Sequence, residues 1–212
     1  CYGRRLVVEL VFCTDFGPQR GDQGHAVRRI EVDRRGVPLK VEREGRSGSG
    51  GDISITAGSG WDLILGDNGK VVRNASYVPV MIESLTGDTN AGSDVLLDGG
   101  AGDDTIIGGN GNDTLRGSGG NDVLIGDNGS VAPGQASSID VASGGSDTIE
   151  GGAGRDRIIG GMAGEASIKG GSEGDYILGD NGTILSTATT FADAGIVYRV
   201  RSEAPSPAFS GG

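Results

Sequence analysis

The sequence predicts an all-β fold of short stacked strands with inserted β-strand connectors, and three observations predict it. A nine-residue motif recurs through the middle of the chain, one position of it is always Leu or Ile, and 43 of the 212 residues are glycine. Average glycine usage is about 7 %. Only 4 Phe, 4 Tyr and 1 Trp are present, so an aromatic-rich core is excluded and the backbone must approach itself closely. With 6 prolines the composition is neither collagen-like nor Pro-rich.

The rungs read in order. Ala57–Leu65 is AGSGWDLIL, Gly99–Ile107 is GGAGDDTII, Gly108–Arg116 is GGNGNDTLR and Gly117–Ile125 is GSGGNDVLI. Gly151–Ile159 is GGAGRDRII, Gly160–Lys169 is GGMAGEASIK with one extra residue, and Gly170–Leu178 is GGSEGDYIL. Four small residues in six allow positive φ and close contact between turns, leaving carbonyl oxygens turned inward. The aspartate that follows supplies charge. The remaining x-U-x predicts a three-residue strand whose central residue is Ile64, Ile106, Leu115, Leu124, Ile158, Ile168 or Ile177. One inward aliphatic per rung builds a narrow apolar column without aromatics.

The motif G-G-x-G-x-D-x-U-x resembles the repeats-in-toxin (hemolysin-type calcium-binding) family. The resemblance implies a right-handed parallel β-roll, a calcium-loaded solenoid in which two nonapeptides make a turn and stacked loops share an ion. Calcium takes six to eight oxygens in a flexible geometry, which carbonyls plus carboxylates from two stacked turns suit. The implied metal residues are Asp62, Asp94, Asp104, Asp113, Asp122, Asp147, Asp156 and Asp175, with Gly99, Gly108, Gly117, Gly151 and Gly170 heading the loops. On this pairing Asp104 stacks with Asp122 and Asp156 with Asp175. Truncated elements at Gly92–Asp94 and Gly145–Asp147 would let Asp94 stack with Asp113 and Asp122 with Asp147. Glu165 lies near the aspartate column and Glu173 replaces a glycine, so weaker or missing ions are expected there.

A longer period wraps the short one. Gly-Asp-Asn-Gly recurs at 66–69, 126–129 and 179–182, each time after an aliphatic pair. Asp67, Asp127 and Asp180 in these elements are ligands or turn formers. Polar, strand-like connectors follow at Lys70–Ala91, Ser130–Ser143 and Thr183–Phe209, which divides the chain into modules at 48–91, 92–143 and 144–212. Residues 1–47 read as β-strands, either a small β-domain or a connector of a preceding module. The segment 39–44 before Ser49-Gly50-Gly51 resembles 198–203 before Ser210-Gly211-Gly212, so the super-repeat is expected to continue beyond both ends.

The position after the core residue points outward. Ile107, Ile125, Ile159 and Leu178 make one outer side aliphatic, whereas Arg116 and Lys169 make the other basic. The aliphatic side is expected to be covered by the connectors, or else to join a neighbouring copy. The position before the core residue (Leu63, Thr105, Thr114, Val123, Arg157, Tyr176) is mixed, which argues against a carbohydrate-binding or ice-binding face.

The net charge of −11 is uneven. Residues 1–47 hold 10 Lys/Arg and 7 Asp/Glu, while 48–212 hold 8 and 22. Nucleic acid is an improbable partner for the acidic part; a hard metal ion fits. No apolar run long enough to span a membrane occurs. Cys1 and Cys13 could close one small loop in an oxidising compartment. There is no HExxH, EF-hand or P-loop, and the one histidine, His25, lies in the basic segment. GGSEG at 170–174 satisfies G-x-S-x-G but sits inside a rung without a base, and Arg20-Gly21-Asp22 is a short match in a chain rich in those residues. The sequence therefore predicts a non-enzymatic, extracellular calcium-binding structural protein, such as a surface layer, adhesin stalk or filament, with self-association or tandem copies. The alternative is an accessory or secretion module of a secreted enzyme or toxin.

Overall fold

The computed structural model describes residues 31–32, 38–39, 54–67, 69–76, 78–85, 93, 96–139, 144–162, 164, 167–193 and 195–203. The expectations for Cys1, Cys13, Arg20-Gly21-Asp22, His25, Asp94, Glu165 and Ser210-Gly211-Gly212 lie outside these residues. The described residues form strands and no helix. Strands β1 (Glu31–Val32) and β2 (Pro38–Leu39) pair antiparallel.

From residue 54 the chain alternates between two parallel sheets. The first contains β3 (Ser54–Ser59), β7 (Leu96–Ala101), β9 (Thr114–Gly119), β13 (Thr148–Ala153) and β15 (Ser167–Ser172), hydrogen-bonded in that order. The second contains β4 (Leu63–Leu65), β8 (Thr105–Ile107), β10 (Val123–Ile125), β14 (Arg157–Ile159) and β16 (Tyr176–Leu178), again in chain order. One strand of each sheet, with the loop between them, makes one rung. Strands of the first sheet run six residues instead of the expected three, because the Gly-Gly-x backbone continues the pairing with the neighbouring rung.

The aliphatic column is two facing columns. Ile64, Ile106, Leu124 and Ile158 of the second sheet meet Leu97, Leu115 and Ile149 of the first, all buried. Sequence reading had no access to Leu97 and Ile149, because no complete motif precedes them. At about 1.5–3 kcal/mol for each fully buried aliphatic side chain, this thin core contributes the main favourable term of the rungs.

The connectors form a third, antiparallel sheet of three hairpins, β5 (Gly69–Arg73) with β6 (Pro79–Ser84), β11 (Gly129–Ala132) with β12 (Gln135–Ser138), and β17 (Gly182–Ser186) with β18 (Val197–Ser202). Neighbouring hairpins pair through β6 with β11 and β12 with β17. Register places Val71, Ile82, Val131, Ala136, Ile184 and Val200 in one column. Ile82, Val131, Ala136 and Ile184 of this column bury Leu63, Leu65, Ile107, Val123, Ile125 and Ile159 of the second sheet, so the aliphatic side is covered by connectors. Leu63, Thr105, Val123 and Arg157, expected to face outward, are buried here; the Arg157 guanidinium reaches Ser186 Oγ at 3.0 Å.

Successive rungs are 42, 18, 34 and 19 residues apart in register, so every second step carries a hairpin. Two stacked rungs and one two-stranded hairpin both advance by two strand spacings, about 9.6 Å. The two layers are therefore commensurate. Gly-Asp-Asn-Gly makes the reversal from the second sheet to the third: a Cβ at Gly129 would collide with the Ile125 side chain beneath it, and one at Gly182 with Leu178 and the Arg201 carbonyl.

The outer face of the first sheet is not basic as expected. Register sets Asp98 beside Arg116, Arg116 beside Glu150 and Glu150 beside Lys169, with Arg116 Nε 3.4 Å from Glu150 Oε2. The acidic members belong to rungs that re-enter without a complete motif, which hid the alternation.

Candidate metal centre

Loops lie along two edges of the stacked rungs. Those leading from the first sheet to the second carry Asp62, Asp104, Asp122, Asp156 and Asp175; those leading back carry Asp113 and Asp147. The second and fourth motif positions take left-handed φ, as at Gly100 (99°), Gly102 (123°), Gly152 (113°) and Gly154 (119°). This fits glycine, which has no Cβ to clash there. Space imposes the same choice: a Cβ at Gly102, Gly120 or Gly154 would strike the carbonyl oxygen of the fourth-position glycine one rung earlier.

Five of these aspartates are held by the backbone of the rung before them. Oδ1 of Asp104 accepts from the Asp62 amide (2.7 Å), that of Asp122 from Asp104 (2.8 Å), that of Asp156 from Asp122 (2.8 Å) and that of Asp175 from Asp156 (3.0 Å). On the opposite edge Asp147 Oδ1 accepts from the Asp113 amide at 2.8 Å. The pairings of Asp104 with Asp122 and of Asp156 with Asp175 follow the expected stack. The expected pairing of Asp122 with Asp147 does not: Asp147 belongs to the other edge and stacks on Asp113, while Asp122 meets Asp156. Counting along the chain missed this because the hairpin at 129–138 separates rungs by 34 residues instead of 18. Asp94, expected beside Asp113, lies outside the described residues.

Asp62, Asp104, Asp113, Asp122, Asp147 and Asp156 are buried. The Oδ2 atoms of Asp104, Asp122 and Asp156 have no hydrogen-bond partner among the described residues. Each motif's first glycine makes room for such an oxygen. A Cβ at Gly117 would meet Asp122 Oδ2 and the Gly151 carbonyl, one at Gly151 would meet Asp156 Oδ2 and the Gly170 carbonyl, and one at Gly99 or Gly170 would meet Oδ2 of Asp104 or Asp175. At Gly108 the same space holds Asp113 Oδ2 and the Gly126 carbonyl. Carboxylate and carbonyl oxygens of successive rungs thus converge at Gly108, Gly117 and Gly151, beside the left-handed loop backbone.

Burial disfavours the charged form of these acids. It pushes Asp104 up to about 8, Asp122 to about 7 and Asp156 to about 6, against the opposing effect of the amide each accepts from and with neighbouring carboxylates adding to the rise. An unpartnered buried carboxylate oxygen is costly, and a cation removes that cost. Among the described residues no three His, Cys, Asp or Glu side chains gather at one point, so a donor set here is one or two carboxylates completed by carbonyls. That is a hard-cation set, suited to calcium and unsuited to zinc.

Two sets of residues escaped sequence reading. The residue before the aspartate forms a second ladder: Asp103 Oδ1 accepts from the Asn121 amide at 2.8 Å, Asn121 Oδ1 from Arg155 at 3.0 Å, and Asn112 Oδ1 from Ser146 at 2.7 Å. Its signal was the polar residue at that motif position. The other set is the backbone partners of the Gly-Asp-Asn-Gly carboxylates. Asp127 accepts from the Gly145 amide (2.7 Å) and the Met162 amide, and Asp67 from the Asn110 amide (2.7 Å), so both tie adjoining loops together. At Glu173, left-handed with φ 70°, the carboxylate accepts from the Gly154 amide at 2.6 Å.

Residues 98–130 and 141–163 match the family model of the RTX calcium-binding nonapeptide repeat, in four copies. These repeats are calcium-binding motifs. No curated protein and no solved structure matches the chain. No helix among the described residues is long and apolar enough to cross a membrane.

Proposed function

We propose that this chain, a carrier of RTX calcium-binding nonapeptide repeats, is a non-enzymatic extracellular structural module that folds and stiffens when calcium fills the stacked loops of a right-handed β-roll. The reading rests on one observation, the file of buried aspartates whose Oδ2 atoms have no hydrogen bond among the described residues at Asp104, Asp122 and Asp156, with a carbonyl oxygen beside that atom at Asp122 and Asp156. Asp62, Asp104, Asp122, Asp156 and Asp175, with Asp113 and Asp147 on the opposite edge, are the proposed carboxylate ligands, together with Asp94, which lies outside the described residues. Carbonyls beside Gly99, Gly108, Gly117, Gly151 and Gly170 complete the sets.

Sites built from one carboxylate per loop and neutral carbonyls belong to the weaker calcium binders. Those fill at the millimolar calcium found outside cells, which places folding after export. The modules 48–91, 92–143 and 144–212 each carry a hairpin of the sheet that lies on the stacked rungs, an arrangement suited to a rod. Far-ultraviolet circular dichroism tests the reading: chelator should remove most of the β signal and calcium restore it along a cooperative curve. A spectrum indifferent to both defeats it.

A further inference from the structure

Four Asn-Gly steps occur in the chain, at 68–69, 110–111, 128–129 and 181–182, three of them inside Gly-Asp-Asn-Gly. Such a step is prone to spontaneous change, because a glycine nitrogen, with no Cβ beside it, easily reaches the preceding side-chain carbonyl. The stack places the described asparagines where that reaction is blocked. Asn128 is 2 % exposed, Asn181 3 % and Asn110 6 %; Asn68 lies outside the described residues. Asn128 Nδ2 donates to Asn110 Oδ1 at 2.6 Å, and Asn181 Nδ2 to Met162 Sδ at 3.6 Å. The attacking nitrogens are held as well: the Gly129 amide donates to Ser84 Oγ at 3.2 Å and the Gly182 amide to Ser138 Oγ at 2.8 Å, both serines being buried. Giving the amide proton to water and turning the side chain toward the nitrogen both require these contacts to open.

The balanced chemistry is short. The glycine nitrogen loses its proton to solvent and attacks Cγ of the asparagine; the Cγ–Nδ2 bond breaks and ammonia leaves. Water then opens the succinimide ring at either carbonyl, giving aspartate or isoaspartate. Isoaspartate lengthens the main chain by one methylene between Cα and the carbonyl that precedes the glycine, and these reversals have no slack for it. The Asn128 carbonyl accepts from the Ile139 amide at 2.9 Å and the Asn181 carbonyl from the Glu203 amide at 2.8 Å, while Gly129 and Gly182 already lie against Ile125 and Leu178. Aspartate at 128 would set a buried carboxylate against Asn110 Oδ1, where an amide now donates.

We propose that Asn128 and Asn181 are self-modification sites that the folded stack protects, so that a chain left without calcium deamidates at the reversals between the second and third sheets and loses the ability to fold. The inference rests on the calcium-dependent fold proposed above and gives it a time limit.

Protein held at mildly alkaline pH in calcium, in chelator, and in calcium with enough guanidinium chloride to unfold it is sampled over days and mapped by peptide mass spectrometry. Asn128 and Asn181 should deamidate roughly tenfold or more faster in chelator and in guanidinium chloride than in calcium alone. Asn74, which is exposed and followed by alanine, is the reference and should react slowly in all three. Chain aged in chelator and returned to calcium should recover β signal only in proportion to its unconverted Asn128 and Asn181. Equal rates at these two residues in calcium and in guanidinium chloride, rates in guanidinium chloride no higher than at Asn74, or full recovery of extensively converted chain each overturn the proposal. Failure of the calcium reading shows separately, as dichroism indifferent to chelator, and the comparison of calcium alone with guanidinium chloride still decides whether the fold protects these sites.

Discussion

The amide of Asp104 donates to Oδ1 of Asp122 at 2.8 Å across two neighbouring rungs, while Oδ2 of each carboxylate is buried without a hydrogen bond among the described residues. One oxygen holds the stack together, and on the proposed reading the other is left for calcium. The same relationship links Asp122 to Asp156, so on the proposed reading an ion in one loop would order the backbone that presents the next.

That coupling makes the aspartates unequal to ordinary surface acids. Asp122→Ala should raise the calcium concentration at half-folding by at least the roughly tenfold that loss of a tuning contact costs a metal site. Asp193→Ala, which removes a carboxylate bonded to Thr189 and Gly195 in the β17–β18 connection, should leave the midpoint almost unchanged. Equal shifts, measured by dichroism titration, would mean that bulk acidity and not the loop binds the ion.

Proton competition gives a pH dependence of definite sign. Without calcium, Asp104, Asp122 and Asp156 have native values of about 8, 7 and 6, above the unfolded 3.8. The native state then holds more protons than the unfolded one, so stability falls as pH rises from about 4 through 8. In chelator, residual structure should be greatest near pH 4–5 and least near pH 8. In calcium the order reverses, with the calcium midpoint falling as pH rises and protons released on binding. A metal-free fold that grows more stable between pH 5 and 8 contradicts this.

Glycine replacements separate backbone demand from composition. Gly120 has φ 127°, and a Cβ there would press on the Gly102 carbonyl. Gly120→Ala should destabilise the calcium-loaded fold by roughly 2 kcal/mol or more. At Gly174, where an added Cβ meets nothing within 4 Å, alanine should cost under about 1 kcal/mol. Urea unfolding in calcium measures both, and equal costs would show that the loops are not held as described.

The hairpin sheet makes its own claim. Ile125 is fully buried between β10 and the third sheet, so Ile125→Lys should destabilise by roughly 3 kcal/mol or more and expose the Ser137 and Thr183 region to faster amide exchange. Unchanged exchange would mean that the connectors do not dock on the rungs.

Much of this was legible in the sequence, because a nine-residue period with one fixed aliphatic and one fixed aspartate specifies both strand and loop. The pairing of Asp104 with Asp122 could be read by counting. The pairing of Asp113 with Asp147 could not, since the intervening hairpin breaks the count and only the fold shows which edge Asp147 joins. Asp98 and Glu150 were hidden likewise, as they stand in rungs that re-enter without a full motif. The amide partners of Asp67 and Asp127 lie in other rungs, so counting along the chain could not supply them.

The central claim is that calcium in the aspartate loops brings the rungs together, and one titration tests it most directly. Far-ultraviolet dichroism of the chain at pH 7.5, taken from excess chelator to millimolar calcium, should pass from a largely unfolded spectrum to a β spectrum along a cooperative curve that magnesium, which resists dehydration, does not reproduce. A full β spectrum in excess chelator, unchanged on adding calcium, contradicts the account.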